Sequence, residues 1–388
     1  GDLALLLAVA VALLYSVWKK CMPRIKVRST AMNPFLWFAA YVVCGSMLSS
    51  VMQYHVSMSE IIGSSMRFIF YLFCACVMSA TFFDFDYFMK KYRTLVIFAT
   101  VFIIVQTLLF YWQGYVLFGT IPGLRVSNPG YDEDVERRFF AMFYRPSSIF
   151  LEPGYYAQFV LPYLAHTLFN NNERQKHIKA IVPTLGCILS TSGQGIMLSL
   201  VIWAMYFAKN ILNLKARKIN LRVIIVCIMV LVAVIPIAKT QIMQRSLQRL
   251  FSGPSASSSS RIYRGFAIYR QLKPIHKIIG VGYGHVGVYL SSENIYTKYC
   301  GEQLYSEYMN SIADILVSLG LVGFILFLWI IVRLCRITSG FHRICACILL
   351  LLSAVGACFT GPNIVFYLSM ILGGYSSRSR TIIPAEIV

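Results

Sequence analysis

Long uninterrupted runs of apolar residues alternate along this chain with short basic segments, and the length of the runs constrains the fold first. They fall at about 3–18, 34–54, 61–83, 94–113, 154–169, 178–190, 196–212, 223–238, 310–332, 344–358 and 363–375, most of them near the roughly 20 residues that an α-helix needs to cross a bilayer. Their apolar character is continuous, not alternating, which points to helices and away from barrel strands. The expectation is an all-α fold, a polytopic integral membrane helical bundle of about 11 transmembrane helices. The sixth and eleventh runs are short for a full crossing. Thr360-Gly361-Pro362-Asn363 reads either as a kink inside one re-entrant segment or as a turn between two. Nothing in the sequence repeats with the spacing of a solenoid. The pattern therefore predicts a single membrane domain over 1–388 with two long loops, 114–153 and 239–309.

Composition agrees with that pattern. Of 388 residues 58% are hydrophobic and 13% charged, against about 25% charged in a soluble domain, and the mean hydropathy is +0.67. A net charge of +20 raises the question of nucleic acid. The 35 Lys and Arg are spread between apolar runs instead of collecting on one soluble face, so no nucleic-acid partner is expected. Their distribution gives an orientation. Short loops on one side carry Lys19, Lys20, Arg24, Lys26 and Arg28, then Lys90, Lys91 and Arg93, and further basic groups down to Arg378 and Arg380. Those at 55–60, 191–195 and 359–362 carry none. The basic side is expected to be cytoplasmic, with the N-terminus and both long loops outside. Nearly all of the 11 cysteines lie inside apolar runs, so no disulfide framework is implied. No cleavable signal peptide is expected either, because the opening run is apolar at once and its basic flank follows it.

Candidate chemistry concentrates in the outer segments. In Arg145-Pro146-Ser147-Ser148-Ile149-Phe150-Leu151-Glu152-Pro153 an arginine and a carboxylate precede an apolar run. Pro153 suits the first position of a helix reaching about Phe169. Glu152 then stands at the helix mouth, either as a cap or as an ionised proton acceptor stabilised by the dipole. The long loops keep arginines, among them Arg125, Arg137, Arg138, Arg145, Arg261, Arg264 and Arg270. Guanidinium groups match phosphate in a bidentate way, which points to an anionic ligand. A Ser-rich link, 253–260, leads into a helical pattern in which Arg261 and Arg264 share one face and Ile262, Phe266 and Tyr269 another. That pattern predicts an amphipathic helix on the bilayer surface. Gly280-Val281-Gly282-Tyr283-Gly284-His285-Val286-Gly287 lets backbone approach a ligand, and His285 is a proton acceptor near neutral pH. Ser190-Thr191-Ser192-Gly193-Gln194-Gly195 is polar and flexible. Glu60 and Arg67, in or near the third run, and Asp314 in the ninth are ionisable groups and are functional candidates on that account. Asp132-Glu133-Asp134-Val135-Glu136 stands beside Arg137 and Arg138 as a mixed-charge loop, so neither a metal nor another cofactor is expected.

Four stretches taken in order, 145–153, 190–195, 261–284 and 310–323, resemble the O-antigen polymerase and ligase superfamily, whose members transfer glycans from undecaprenyl pyrophosphate at the periplasmic face of the bacterial cell inner membrane. The likeness runs from about residue 85 to the end. Arg264 and Gly280, with fifteen residues between them, also fit the polymerases' arginine followed at a distance by glycine. Ligases carry a histidine before the asparagine that opens the late span. Here Met309 precedes Asn310, which favours a polymerase and leaves the general base open between Glu152, Glu307 and His285. The resemblance implies a metal-independent glycosyltransferase with Glu152, Arg145 and Arg264 in the catalytic roles. Arg261, Arg270, Tyr283, His285, Ser192, Gln194 and Asn310 are the substrate-binding candidates. The implied partners are an undecaprenyl-pyrophosphate-linked oligosaccharide, membrane lipid and a polysaccharide chain-length regulator. An O-antigen ligase acting on lipid A core and, from another class, a flippase for the same lipid-linked sugar are the rival readings.

The orientation is directly testable. In a background lacking Cys300, cysteines placed at Tyr131 and Ser257 are expected to react with a membrane-impermeant thiol reagent applied from the periplasm. Labelling that requires inner-membrane permeabilisation would reverse the topology.

Overall fold

The computed structural model describes residues 5–7, 9–11, 14, 29–52, 58–81, 84–117, 119, 144–170, 175–211, 257–297 and 309–380. Regular structure among the described residues is entirely α-helical. In chain order the helices are α1 (Ser29–Met52), α2 (Met58–Thr81), α3 (Phe85–Gln113), α4 (Pro153–Phe169), α5 (Lys176–Leu189), α6 (Gly193–Ile211), α7 (Ser257–Gln271), α8 (Pro274–Ile279), α9 (Val286–Ser292), α10 (Ser311–Ser318), α11 (Gly320–Ile337), α12 (Phe341–Val355) and α13 (Asn363–Arg380). The expected run at 223–238 lies outside the described residues, as does most of the run at 3–18. Among the described residues three helices are long and apolar enough to cross a membrane, within Asn33–Met52, Phe85–Gln113 and Gly320–Ile337, and shorter apolar helices occupy Ile62–Ala75, Phe341–Val355 and Asn363–Gly373.

The chain forms two compact units, one from residues 1–88 and 252–388 and the other from 89–251. In the first, α2 packs on α13 and α1, α1 on α11, and α12 on both α11 and α13. Its centre is aromatic. Phe38, Phe68, Phe327 and Phe359 are all within 1% of full burial, with Phe359 lying edge-on to Phe38 at 5.7 Å and to Phe327 at 4.7 Å. In the second unit α4 lies against α5 and α6. Tyr156 of α4 meets Thr100 of α3 at 2.8 Å, in space left by Gly186, where a Cβ would stand 1.9 Å from the Tyr156 hydroxyl.

The surfaces of α3 and α11 invert the soluble-protein rule. On α3 the polar Thr100 and Gln106 are buried, whereas Leu95, Phe98, Val101, Leu108 and Trp112 are exposed. On α11 Leu321, Ile325, Trp329 and Val332 are exposed. Polar groups inside and large apolar groups outside are what a lipid environment selects.

Several boundaries depart from the sequence expectation. The fourth run begins earlier as a helix, at Phe85, so Lys90, Lys91 and Arg93 sit in the first turns of α3 and not in a loop. The ninth, 310–332, is two helices divided between Ser318 and Gly320. Around Thr360 the helix is interrupted: α12 ends at Val355 and α13 begins at Asn363.

The break in the ninth run has a visible cause. Gly320 has φ +65° and Gly280 φ +88°, a left-handed region that glycine occupies without steric cost. Between them the 280–282 backbone runs alongside the end of α10, with the Val281 N–H donating to Val317 O at 3.0 Å and the Gly282 N–H to Ser318 O at 2.9 Å. The C-terminal carbonyls of α10 are thus satisfied by the glycine loop. Around this pairing Ile268, Leu272, Val281, Val286, Tyr289, Leu290, Met309, Ala313 and Val317 form one hydrophobic core, so much of the second long loop is a folded helical layer.

Helix α7 corrects another expectation. Its docked face carries Arg264, Gly265 and Ile268, all buried, while Phe266 and Tyr263 are exposed. Gly265 decides this: a Cβ there would lie 2.3 Å from Ala313 Cβ, so only a bare backbone allows α7 to approach α10 so closely.

A Cβ on Gly320 would stand 2.3 Å from Ile278 O and 2.5 Å from Gly280 N. Gly320→Ala is expected to destabilise the purified protein by about 1–3 kcal/mol or more, from overpacking and strain at positive φ. Gly63→Ala in α2, where nothing lies within 4 Å, should be neutral or stabilise by up to ~1 kcal/mol. Thermal unfolding in detergent compares the two.

Candidate functional site

The second unit presents Arg145 and Glu152 on a tightly folded segment. After Arg145 the chain makes a turn in which the Phe150 N–H donates to Ser147 O at 3.1 Å, with Ser148 in the left-handed region at φ +58°. Pro153 opens α4 as expected, and Glu152 occupies the N-cap position with extended φ −134° and ψ 148°. Its carboxylate makes no cap hydrogen bond. The Glu152 backbone carbonyl instead accepts from the Tyr155 N–H at 3.0 Å. Both Arg145 and Glu152 are half-buried.

The polar Ser190–Gly195 stretch turns the chain between α5 and α6 and meets the same region. Gln194 Nε2 donates to Gly154 O at 2.8 Å. Ser192 Oγ accepts from the Gly195 N–H at 3.3 Å, the reach of a helix N-cap. Gly195 lies so close to α4 that a Cβ would be 2.8 Å from Ala157 Cβ. Of the two candidates assigned to substrate, Gln194 thus ties α6 to the start of α4, and Ser192 caps α6 locally.

The first unit collects the remaining candidates around the glycine loop. Arg264 is 3% exposed, against the surface position expected for it. Arg270 is exposed near the end of α7, and the side chain of Arg261 lies outside the described residues. Asn310 is fully buried and caps α10, its Oδ1 accepting from the Ala313 N–H at 2.8 Å. Tyr283 is clasped on three sides: its N–H donates to Ser46 Oγ at 3.0 Å, its hydroxyl donates to Thr360 O at 3.0 Å, and its ring lies 5.1 Å from that of Phe68. Gly284 faces Ser64, whose Oγ would be 2.4 Å from an added Cβ, and a Cβ on Gly282 would touch both His285 and Ser49 at 3.6 Å.

His285 is 2% exposed, and its Nε2 has no hydrogen-bond partner among the described residues. Burial lowers its pKa below the usual 6.5, and the Glu60 carboxylate pulls weakly the other way. A second histidine of the same loop, His276, is absent from the sequence candidates. It is buried, its Nδ1 lies 3.1 Å from Gly280 O, and its ring stands edge-on to Tyr289 at 5.1 Å. Glu60 and Arg67 are both exposed on α2, where Arg67 Nε donates to the Tyr71 hydroxyl at 2.9 Å. Glu307 lies outside the described residues.

The four sequence stretches thus associate in pairs. Residues 145–153 meet 190–195 in the second unit, through Gln194 and Gly154. Residues 261–284 meet 310–323 in the first, through Gly265, Val281 and Gly282. Sequence reasoning passed over Gln106, which bonds to the Arg145 segment; its signal was a carboxamide in the middle of an apolar run. No family model matches the chain, and no curated protein matches it.

Because burial depresses the His285 pKa, the stability it contributes is present above pH 6.5 and is lost as pH falls through the lower folded value. Glu60→Gln removes the opposing charge and is expected to move the His285 midpoint lower still in an NMR titration. An unchanged midpoint would show that the carboxylate does not act on the ring.

Proposed function

We propose that the chain is an O-antigen polymerase, a membrane glycosyltransferase that lengthens a glycan carried on undecaprenyl pyrophosphate. The acceptor sugar hydroxyl attacks the anomeric carbon of the donor glycan and the bond from that carbon to the pyrophosphate breaks. The lipid pyrophosphate leaves, and the hydroxyl proton passes to a base. The observation that carries this reading is the pairwise meeting of stretches far apart in sequence, at Gln194 with Gly154 and at Gly282 with Ser318. These are the stretches on which the family resemblance rests.

Individual groups suit their roles. Glu152 stands at a helix N-terminus, where the dipole favours the ionised acceptor, and its carboxylate is not used as a cap. Its pairing with Arg145 on one short segment puts a base and a phosphate-binding fork within eight residues. The burial of Arg264 removes the snorkelling explanation for that arginine. In a water-poor setting a guanidinium stabilises the charge that develops on a departing pyrophosphate more strongly than it would in water. The reaction takes place at the periplasmic face in this reading, with the growing polymer, membrane lipid and a chain-length regulator as partners.

The test is elongation of purified lipid-linked repeat units by the protein in vesicles. Wild-type protein is expected to build long chains, and Glu152→Gln to lose roughly a hundredfold to ten-thousandfold in rate. Arg264→Lys should recover only part of the activity, because lysine keeps the charge and loses the fork, while Arg125→Ala stays near wild type. Full-length polymer from Arg264→Ala at normal protein level overturns that residue's role. Transfer solely to lipid A core would identify a ligase, and lipid movement with no new glycosidic bond a flippase.

A further inference from the structure

We propose that Gln106 of α3 is a positioning residue for the Arg145–Glu152 segment, acting on the reaction through the backbone it holds. This rests on the reading of Glu152 and Arg145 as catalytic groups.

Gln106 is 1% exposed in a helix apolar enough to cross a membrane. A carboxamide there is costly unless every donor and acceptor finds a partner. Among the described residues its side-chain bonds all go to loop backbone. Oε1 accepts from the Ser148 N–H at 2.9 Å, and Nε2 donates to Leu117 O at 2.9 Å and to Ser148 O at 3.4 Å. The side chain therefore pairs with both the N–H and the C=O of Ser148, as a neighbouring strand would, while also gripping Leu117. These two residues stand near the opposite ends of the long loop that ends at Pro153. Tyr144 adds a bond to the same carbonyl, its hydroxyl donating to Leu117 O at 3.0 Å, and its ring stacks on Phe110 of α3 at 4.8 Å.

Ser148 is the pivot of the segment. It is fully buried and holds φ +58°, a region that costs a residue with a Cβ about 1–2 kcal/mol and persists where surroundings dictate it. The segment also passes Gly119, where a Cβ would be 1.6 Å from Ser148 O. Downstream, Phe150 packs its ring 5.2 Å from Phe159 of α4. Arg145 lies three residues before Ser148 and Glu152 four after it, so release of Ser148 shifts both together. A displacement of about 1 Å at reacting groups can cost on the order of a hundredfold in rate.

The experiment uses the full-length protein in vesicles, with Gln106→Leu to remove all three bonds at similar volume and Gln106→Glu to keep the Ser148 acceptor. Two quantities are read. Hydrogen exchange of a peptide covering 144–152 is expected to rise roughly tenfold or more in Gln106→Leu, while α5 exchanges as in wild type. In elongation, kcat should fall on the order of a hundredfold with KM little changed, and Gln106→Glu should recover part of kcat. A protein merely loosened would instead exchange faster in α5 as well. Should Gln106→Leu fail to fold, Gln106→Glu carries both measurements, with an intermediate effect expected. Unchanged exchange at 144–152 in a folded variant, or faster exchange with a wild-type kcat, overturns the assignment. Wild-type protein that elongates nothing sinks the polymerase reading alone, and the exchange data still decide whether Gln106 holds the segment.

Discussion

Non-helical backbone inside an apolar bundle survives only where other protein supplies its hydrogen bonds, and in the first unit the end of α10 makes that supply. Val317 O and Ser318 O receive the Val281 and Gly282 amides, which answers two needs at once. The α10 helix has C-terminal carbonyls with no intrahelical donor, and the glycine loop has amides with no ladder of its own. The positive φ of Gly280 and Gly320 lets the two segments close on each other, and α7, α8 and α9 then pack around the join. The position of Tyr283 and His285 against Ser46, Ser49 and Ser64 follows from it.

The second unit meets the same constraint with side chains. Gln106 and Gln194 each carry a carboxamide to the backbone beside Glu152, from α3 and α6 respectively. A buried donor or acceptor left unmade costs about 1–3 kcal/mol, more than a formed bond contributes, so such groups specify a geometry more than they add stability. Tyr92 acts in kind on α4, its hydroxyl donating to Phe159 O. The described parts of the two long loops, chiefly 144–153 and 257–297, are thus held by hydrogen bonds and packing where candidate chemistry lies.

Burial also changes what individual side chains can do. Arg264 and His285, both placed by sequence on accessible loop surface, are 3% and 2% exposed. A desolvated guanidinium is a stronger electrostatic partner for an anion, and a desolvated imidazole is held neutral. Glu152 is the reverse case: of the two uses open to it the cap is not made, and the carboxylate remains half-buried at the head of α4.

Sequence alone determined the helical class, most helix positions and the start of α4 at Pro153, because apolar run length and the missing proline N–H are local properties that tertiary contacts rarely override. It also identified Arg145 and Glu152 as neighbours, which only chain adjacency requires. The division of the ninth run was not legible, since Leu319 and Gly320 interrupt neither hydropathy nor charge. It was decided by the approach of Gly280, forty residues away. Periodicity also misjudged α7, laying its aromatic face on the bilayer and turning its arginines outward. The missing Cβ of Gly265 against Ala313 made the choice. Gln106 showed in the sequence only as a polar residue in an apolar run. What it binds, the two ends of the loop that follows α3, meets only after folding, because hydrogen-bond partners are set by three-dimensional proximity and not by spacing along the chain.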